Sequence, residues 1–194
     1  VKIDFYRNLE GVMDFSFTEE QLMIQDVARR IAQEKIAPSA EYFDRTGELP
    51  LENIQLLGQN GLMGIEVPDQ YGGAGMDPIS YVLAMIEIAA ADCAHSTIVS
   101  VNNSLFCNGI LQNGSEQQKQ KYVPKLASGE WFGAYCLTEP GAGSDANSGK
   151  TKAVLSADGK SYSITGGKMW ISNAGFCSLF IVFARIEDDK NITG

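Results

Sequence analysis

The hydrophobic pattern of this chain changes period near Glu130, and that change constrains the fold more than any other feature. Upstream of it the signals are helical. Thr18-Glu19-Glu20-Gln21 has the form of a capping box, in which a hydroxyl and an amide side chain satisfy each other's backbone N–H groups. Ile24, Val27, Ala28 and Ile31 follow at helical spacing and give one apolar face. Pro38 is expected to end this helix, because proline disfavours helical backbone in the residue before it. A short helix is expected after Pro50, through Ile54 and Leu57, to a stop near Gly58 and Gly61. Val67 to Gly75 reads as a loop. Asp77-Pro78 starts a helix, with Asp as cap and Pro in the first turn. Its body, Ile79 to Ala91, is apolar almost all round except for Glu87 and is expected to be central and buried. A further helix is expected from about Ser96 to Asn113, stopped by Gly114. Ser115-Glu116-Gln117-Gln118 is a second capping box and opens a polar helix that runs to Ser128-Gly129.

Downstream of Glu130 the pattern is that of strands. Trp131 to Leu137 reads as one strand. Thr151–Ser156 and Ser161–Thr165 flank Asp158-Gly159, a hairpin turn pair. Gly166-Gly167 is expected to turn into a strand around Trp170, and Leu179 to Ile186 reads as a fully buried strand. Asp188 to Asn191 forms another turn. The fold class is therefore α+β: an all-α helical domain over residues 14–130, then an antiparallel, barrel-like β domain over residues 131–194. That second domain is expected to be incomplete. The strand returning from the last turn is expected to be missing, and an apolar edge left open is something natural domains avoid. Residues 1–13 read as an appended or variable extension, with Met13 as a natural start.

Composition removes several classes of function. The 194 residues carry 24 acidic and 15 basic side chains, a net charge of −9, with no Lys/Arg cluster. Non-specific nucleic-acid binding needs the opposite balance. No apolar run approaches the ~20 residues that cross a bilayer, so membrane insertion is not expected. Cys93, Cys107, Cys136 and Cys177 are irregularly spaced without a C-x-x-C pair, so no metal site is expected. The single histidine, His95, reads as a capping or surface residue near a helix start.

Two segments carry chemistry. Tyr135-Cys136-Leu137-Thr138-Glu139-Pro140-Gly141-Ala142-Gly143-Ser144-Asp145-Ala146 packs two hydroxyls, two glycines and a proline into one turn after a strand. Gly141 and Gly143 are expected to adopt dihedrals closed to other residues and to let a ligand approach. Thr138 and Ser144 supply hydroxyls, and such a loop can hold a polar ring edge or a diphosphate through its dipoles. Taken alone, the loop is equally a Gly-rich turn without a ligand. Gly167-Lys168-Met169-Trp170-Ile171-Ser172-Asn173-Ala174-Gly175 is the second segment. On a strand, Trp170 and Ser172 would share a face, and an indole beside a hydroxyl suits a flat heteroaromatic ligand. Trp170 is otherwise an ordinary core aromatic, and Thr138 otherwise the end of a strand.

Together the two segments resemble the flavin-binding strings of the acyl-CoA dehydrogenase family, and the resemblance extends from Met13 onward. It implies an N-terminal helical domain, a middle β domain and a C-terminal helical bundle, the last absent from this sequence. It implies FAD as cofactor and an acyl-CoA thioester as substrate, dehydrogenated between the α and β carbons with hydride passing to flavin N5. By the same resemblance, Tyr135, Cys136, Leu137 and Thr138 line the polar edge of the flavin. Gly143 and Ser144 lie near the diphosphate, with Ser144 also reaching the substrate. Trp170 and Ile171 pack on the ring, and Ser172 bonds near N5. Many members carry Thr at the last position, and Ser keeps the hydroxyl but loses the methyl that restricts its rotamer. Ile98, Val101 and Leu105, spaced i, i+3 and i+7, are expected to line the acyl chain or, taken singly, simply to pack in the core, and the string Ser100-Val101-Asn102-Asn103-Ser104-Leu105 resembles butyryl-type members. The catalytic base is expected beyond Gly194, so no catalytic residue is assigned, and Glu139 is not taken as one. An electron-transfer flavoprotein is the implied acceptor and a homotetramer the implied assembly. The implied compartment is the cytoplasm in a bacterium and the mitochondrial matrix in a eukaryote. An oxidase or monooxygenase of the same fold, or an inactive remnant acting only by binding, are the other readings of these residues.

Overall fold

The computed structural model describes residues 15–186 and the backbone of Ile192–Thr193. The expected start at Met13 and the turn at 188–191 lie outside the described residues. Both capping boxes form: the Gln21 N–H donates to the Thr18 hydroxyl at 3.2 Å and the Thr18 N–H to the Gln21 side chain at 3.0 Å, with Ser115 and Gln118 repeating the arrangement. The helices are α1 (Glu19–Ile31), α2 (Ala37–Thr46), α3 (Leu51–Gln59), α4 (Pro78–Ala91), α5 (Cys93–Ser100), α6 (Asn108–Asn113) and α7 (Glu116–Ala127).

Pro38 does not end the first helix. A π-helical stretch, Ala32–Ile36, joins α1 to α2, and the Ala37 N–H reaches back five residues to Ala32. The wider turn takes up the crowding between a proline ring and the carbonyl four residues earlier, so Pro38 sits in the first turn of α2. The helix stops instead at Gly47, which takes the left-handed conformation (φ 69°). A second π stretch, Val101–Cys107, joins α5 to α6. This helix begins at Cys93, earlier than its spacing suggested, because Asp92 accepts from the N–H groups of Ala94 and His95.

α1 and α4 lie side by side in the same direction. Gln21 donates to Asp77 at 2.6 Å near their starts, and Arg29 pairs with Glu87 at 2.7 Å further along. α4 is not buried all round: Leu83, Ala84 and Ile88 face the core, whereas Ile79, Val82 and Ile86 are exposed. With Glu87 turned to Arg29, the largely apolar remainder of the helix has no polar face to report which side meets solvent. One core cluster gathers Ile24, Ala28, Ile36, Ile54, Leu57, Met63 and Ile88; a second gathers Val67, Phe106, Val123 and Leu126 beneath the first strand. His95 is completely buried rather than at the surface. Its ring sits against Asp92 and Asn53.

The strands are β1 (Gly133–Cys136), β2 (Lys152–Leu155), β3 (Tyr162–Thr165), β4 (Leu179–Val182), β5 (Ala184–Ile186) and β6 (Ile192–Thr193). The Asp158-Gly159 hairpin forms as β2–β3, antiparallel. The β region is not uniformly antiparallel, however. β1 pairs with β4, and β2 with β5, in parallel. The expected single buried strand over Leu179–Ile186 is broken at Phe183, where the chain leaves the β1 sheet and joins the β2 sheet; Phe180 is exposed. The return strand expected to be missing begins as β6, antiparallel to β5. Among the described residues the two sheets, of two and four strands, do not close into a barrel.

Candidate functional site

β1 carries the first motif, and its position is set by buried polar contacts from the π-helical stretch. Asn102 donates to the carbonyls of Met63 and Leu126, both at 3.0 Å, and accepts from the Gly133 N–H at 3.4 Å. Asn103 accepts from the Ile65 N–H at 2.8 Å and donates to the Leu62 and Val99 carbonyls. Gly133 is required by packing: a Cβ there would lie 2.1–2.4 Å from ring atoms of Phe106. The helical layer therefore holds the root of β1 directly.

Beyond β1 the chain makes a tight turn in which Glu139 and Ala142 exchange both backbone hydrogen bonds at 3.0 Å. Glu139 is buried and fully engaged. Its carboxylate accepts from the Lys150 N–H (2.6 Å), the Thr151 N–H (3.0 Å) and the Lys168 ammonium (2.8 Å). Burial pushes its pKa up, but the Lys168 bond and the two backbone donors outweigh that and hold it down to about 2. So weak a base, with its lone pairs in use, is a structural strut.

The second motif lies along β1 and the turn. Met169 N–H donates to the Thr138 carbonyl at 2.9 Å, Lys168 donates to the Leu137 carbonyl at 3.0 Å, and the Asn173 amide donates to the Gly133 carbonyl at 3.1 Å. This segment is not the strand expected around Trp170. Trp170 (φ 59°) and Asn173 (φ 67°) are both left-handed, a conformation that costs a non-glycine residue ~1–2 kcal/mol. Alternation on a strand therefore does not relate Trp170 to Ser172. The bend instead lifts the Trp170 ring outward, 85% exposed, while Asn173 stays buried as its anchor.

The folded chain thus brings Leu137 and Thr138 beside Lys168 and Met169, the immediate neighbours of Trp170, Ile171 and Ser172. Tyr135 is half-buried with its ring 4.9 Å from that of Phe183. Cys136 is buried, and that burial raises its thiol pKa although Lys168 acts in the other direction. Gly143 and Ser144 are exposed on the far limb of the turn. Ile98 and Val101 are half-buried and buried, but Leu105 is exposed. A π-helix takes more residues per turn than an α-helix, so the i, i+3, i+7 spacing does not put these three on one face.

Two observations bear on whether these residues fit a flat, polar-edged cofactor. The hydroxyls of Thr138, Ser144 and Ser172 and the indole N–H of Trp170 have no hydrogen-bond partner among the described residues. Gly141 and Gly143 have ordinary rather than left-handed φ, and a Cβ on either would meet nothing within 4 Å. Neither backbone conformation nor packing within the chain calls for glycine there, contrary to the dihedral argument from sequence. Glycine at these positions leaves room for close approach of a ligand, as do Gly167 and Gly175 in the second motif, which are equally open. A cleft of about 770 Å³ between α6, α7 and β4 includes Tyr135 but none of these hydroxyls. Lys168, Asn173 and the Asn102–Asn103 pair lie inside the motif strings but had no role assigned from sequence. A lysine and an asparagine inside a Gly-rich aromatic string, and two adjacent asparagines in an apolar helix, were the available signals.

A helical layer thus presents a strand and two hydroxyl-bearing loops on one side of the chain. Residues 18–130 match the family model Acyl-CoA dehydrogenase, N-terminal domain, and residues 134–194 match Acyl-CoA dehydrogenase, middle domain. The chain belongs to the acyl-CoA dehydrogenase family. It is 46% identical over 177 residues to an acyl-CoA dehydrogenase of Bacillus subtilis, covering 91% of this chain and 46% of that protein. Butyryl-CoA dehydrogenase from Megasphaera elsdenii superposes with a TM-score of 0.83 at 37% identity, over 89% of this chain and 45% of that one. Acyl-CoA dehydrogenase from Bacillus anthracis complexed with FAD gives a TM-score of 0.81 at 37% identity, over 88% and 29%. The chain thus spans about half the length, or less, of these relatives.

Proposed function

We propose that this chain supplies the helical wall and flavin-edge loops of an FAD-dependent enzyme that dehydrogenates an acyl-CoA thioester between its α and β carbons. FAD, when bound, supplies the acceptor for the hydride. The observation that carries the reading is a pair of glycines, Gly141 and Gly143, that no packing among the described residues requires, set beside hydroxyls without a partner among those residues and an outward-facing indole. Tyr135, Cys136, Leu137 and Thr138 offer backbone groups and one hydroxyl to a polar ring edge. Trp170 and Ile171 cover an apolar ring, Ser172 offers a hydroxyl beside it, and Gly143 with Ser144 admits a diphosphate and the substrate. Ile98, Val101 and Leu105 are the apolar side chains that this reading offers to a short acyl chain, although they do not share one face. An electron-transfer flavoprotein as acceptor and a tetrameric assembly are part of the same reading, on family resemblance.

Glu139 takes no proton in this scheme, because its carboxylate already holds two N–H groups and an ammonium. The test is FAD binding followed by flavin fluorescence. Thr138→Val, Trp170→Ala and Gly143→Val are each expected to weaken retention about tenfold, equivalent to ~1.4 kcal/mol. Wild-type affinity in all three variants would overturn the assignment.

A further inference from the structure

The buried ion pair Lys168–Glu139 stands behind the peptide that joins Leu137 to Thr138. Lys168 Nζ lies 3.0 Å from the Leu137 carbonyl oxygen and 2.8 Å from Glu139. The side chains of Lys168 and Glu139 are only 11% and 7% exposed. On the other end of the same peptide, the Thr138 N–H has no acceptor among the described residues. An amide whose carbonyl accepts from a cation is polarised, and its N–H becomes a stronger donor. Enclosure from solvent magnifies the effect.

We propose that Lys168 is a positioning residue that fixes and polarises the Leu137–Thr138 peptide, so that the Thr138 N–H stabilises negative charge arriving on the ring it faces. Lys168 touches neither cofactor nor substrate; it acts through the peptide. The inference rests on the flavin reading above and deepens it, by giving the loop a role in the electron affinity of the ring as well as in its retention. A reduced flavin is the more electron-rich form, so a stronger donor at its polar edge favours reduction.

The arrangement makes a prediction of sign. The pair is a dipole with its positive end on the peptide. Lys168→Met removes that end and leaves the Glu139 anion behind the peptide, which disfavours reduction. Glu139→Gln leaves the cation and favours it. A pair that served only to hold the turn together would shift both variants alike, through loosened geometry.

The experiment is a redox titration of the FAD-loaded protein. Relative to wild type, the reduced-to-oxidised ratio at fixed poise is expected to fall about tenfold in Lys168→Met, or ~30 mV for a two-electron couple. It is expected to rise in Glu139→Gln and to stay at wild type in Lys168→Arg, which keeps the cation. A lone buried carboxylate is strongly destabilising, so if Lys168→Met does not fold, the other two variants decide the matter. In the flavin-free protein, the Thr138 amide proton is expected to move upfield in the double variant Lys168→Met/Glu139→Gln and to stay put in Lys168→Arg. Same-direction shifts in the two single variants, or unchanged ratios with FAD still bound, would overturn the proposal. Failure of the wild type to take up FAD would overturn the functional reading instead. The Thr138 amide shift would then still judge the polarisation by itself.

Discussion

Asn103→Ala tests whether the polar junction under β1 holds the fold. Asn103 is 4% exposed and makes three hydrogen bonds: Ile65 N–H to its oxygen at 2.8 Å, and its amide to Leu62 and Val99 carbonyls at 2.9 and 3.0 Å. Each intramolecular bond contributes about 1 kcal/mol net, but the one whose loss leaves a buried N–H without an acceptor costs ~1–3 kcal/mol instead. The two carbonyls carry a smaller penalty, since a carbonyl tolerates an unused lone pair better. The expected loss is therefore about 3–5 kcal/mol, a large part of the ~5–15 kcal/mol typical of a folded domain. In urea unfolding followed by circular dichroism, the midpoint should drop accordingly, and the thermal midpoint should fall by roughly 6–20 °C at 2–4 °C per kcal/mol. Asn60→Ala is the control. Its amide bonds to the Leu56 carbonyl at 2.8 Å, but in an exposed position, where water replaces the partner and the cost should stay within ~0.5 kcal/mol. If the two variants lose similar stability, the reasoning from burial is wrong.

Two further outcomes follow from the same geometry. Gly133→Ala should cost at least ~2 kcal/mol, because its Cβ would stand 2.1–2.4 Å from the Phe106 ring and overpacking of this kind costs ~1–3 kcal/mol or more. Gly133→Ala/Phe106→Leu should recover part of that in the same unfolding assay, and no recovery would show that the ring is not the obstacle. Glu139 predicts an acid dependence. Its folded pKa of about 2 lies below the ordinary 4.5, so its contribution is complete above about pH 4.5 and is lost as pH falls through 2. At ~1.4 kcal/mol per unit, trimmed for the nearby surface, it amounts to roughly 2–3 kcal/mol. The stability gap between wild type and Glu139→Gln should close across that window, and a constant gap would contradict the assignment.

The sequence alone determined the features that depend on near neighbours along the chain. The Thr18 and Ser115 capping boxes, the Asp77-Pro78 helix start and the Asp158-Gly159 hairpin are each complete within a few residues, so their chemistry is legible without a fold. The two motif strings were legible in the same way, as unusual local combinations of glycine, hydroxyl and aromatic residues. Tertiary structure decided everything that required a distant partner. Only packing shows which side of the largely apolar α4 faces the core. It shows that Pro38 is absorbed by a π-helical stretch, and that the chain from Leu179 to Ile186 serves two sheets in turn. It also reverses the reason for the motif glycines, since Gly141 and Gly143 need no unusual φ. Lys168 reaches residues 29 and 31 positions away, and Asn173 reaches one 40 away. A periodic pattern records which side chains leave water; it carries no record of which buried polar groups, far apart in the chain, will satisfy one another.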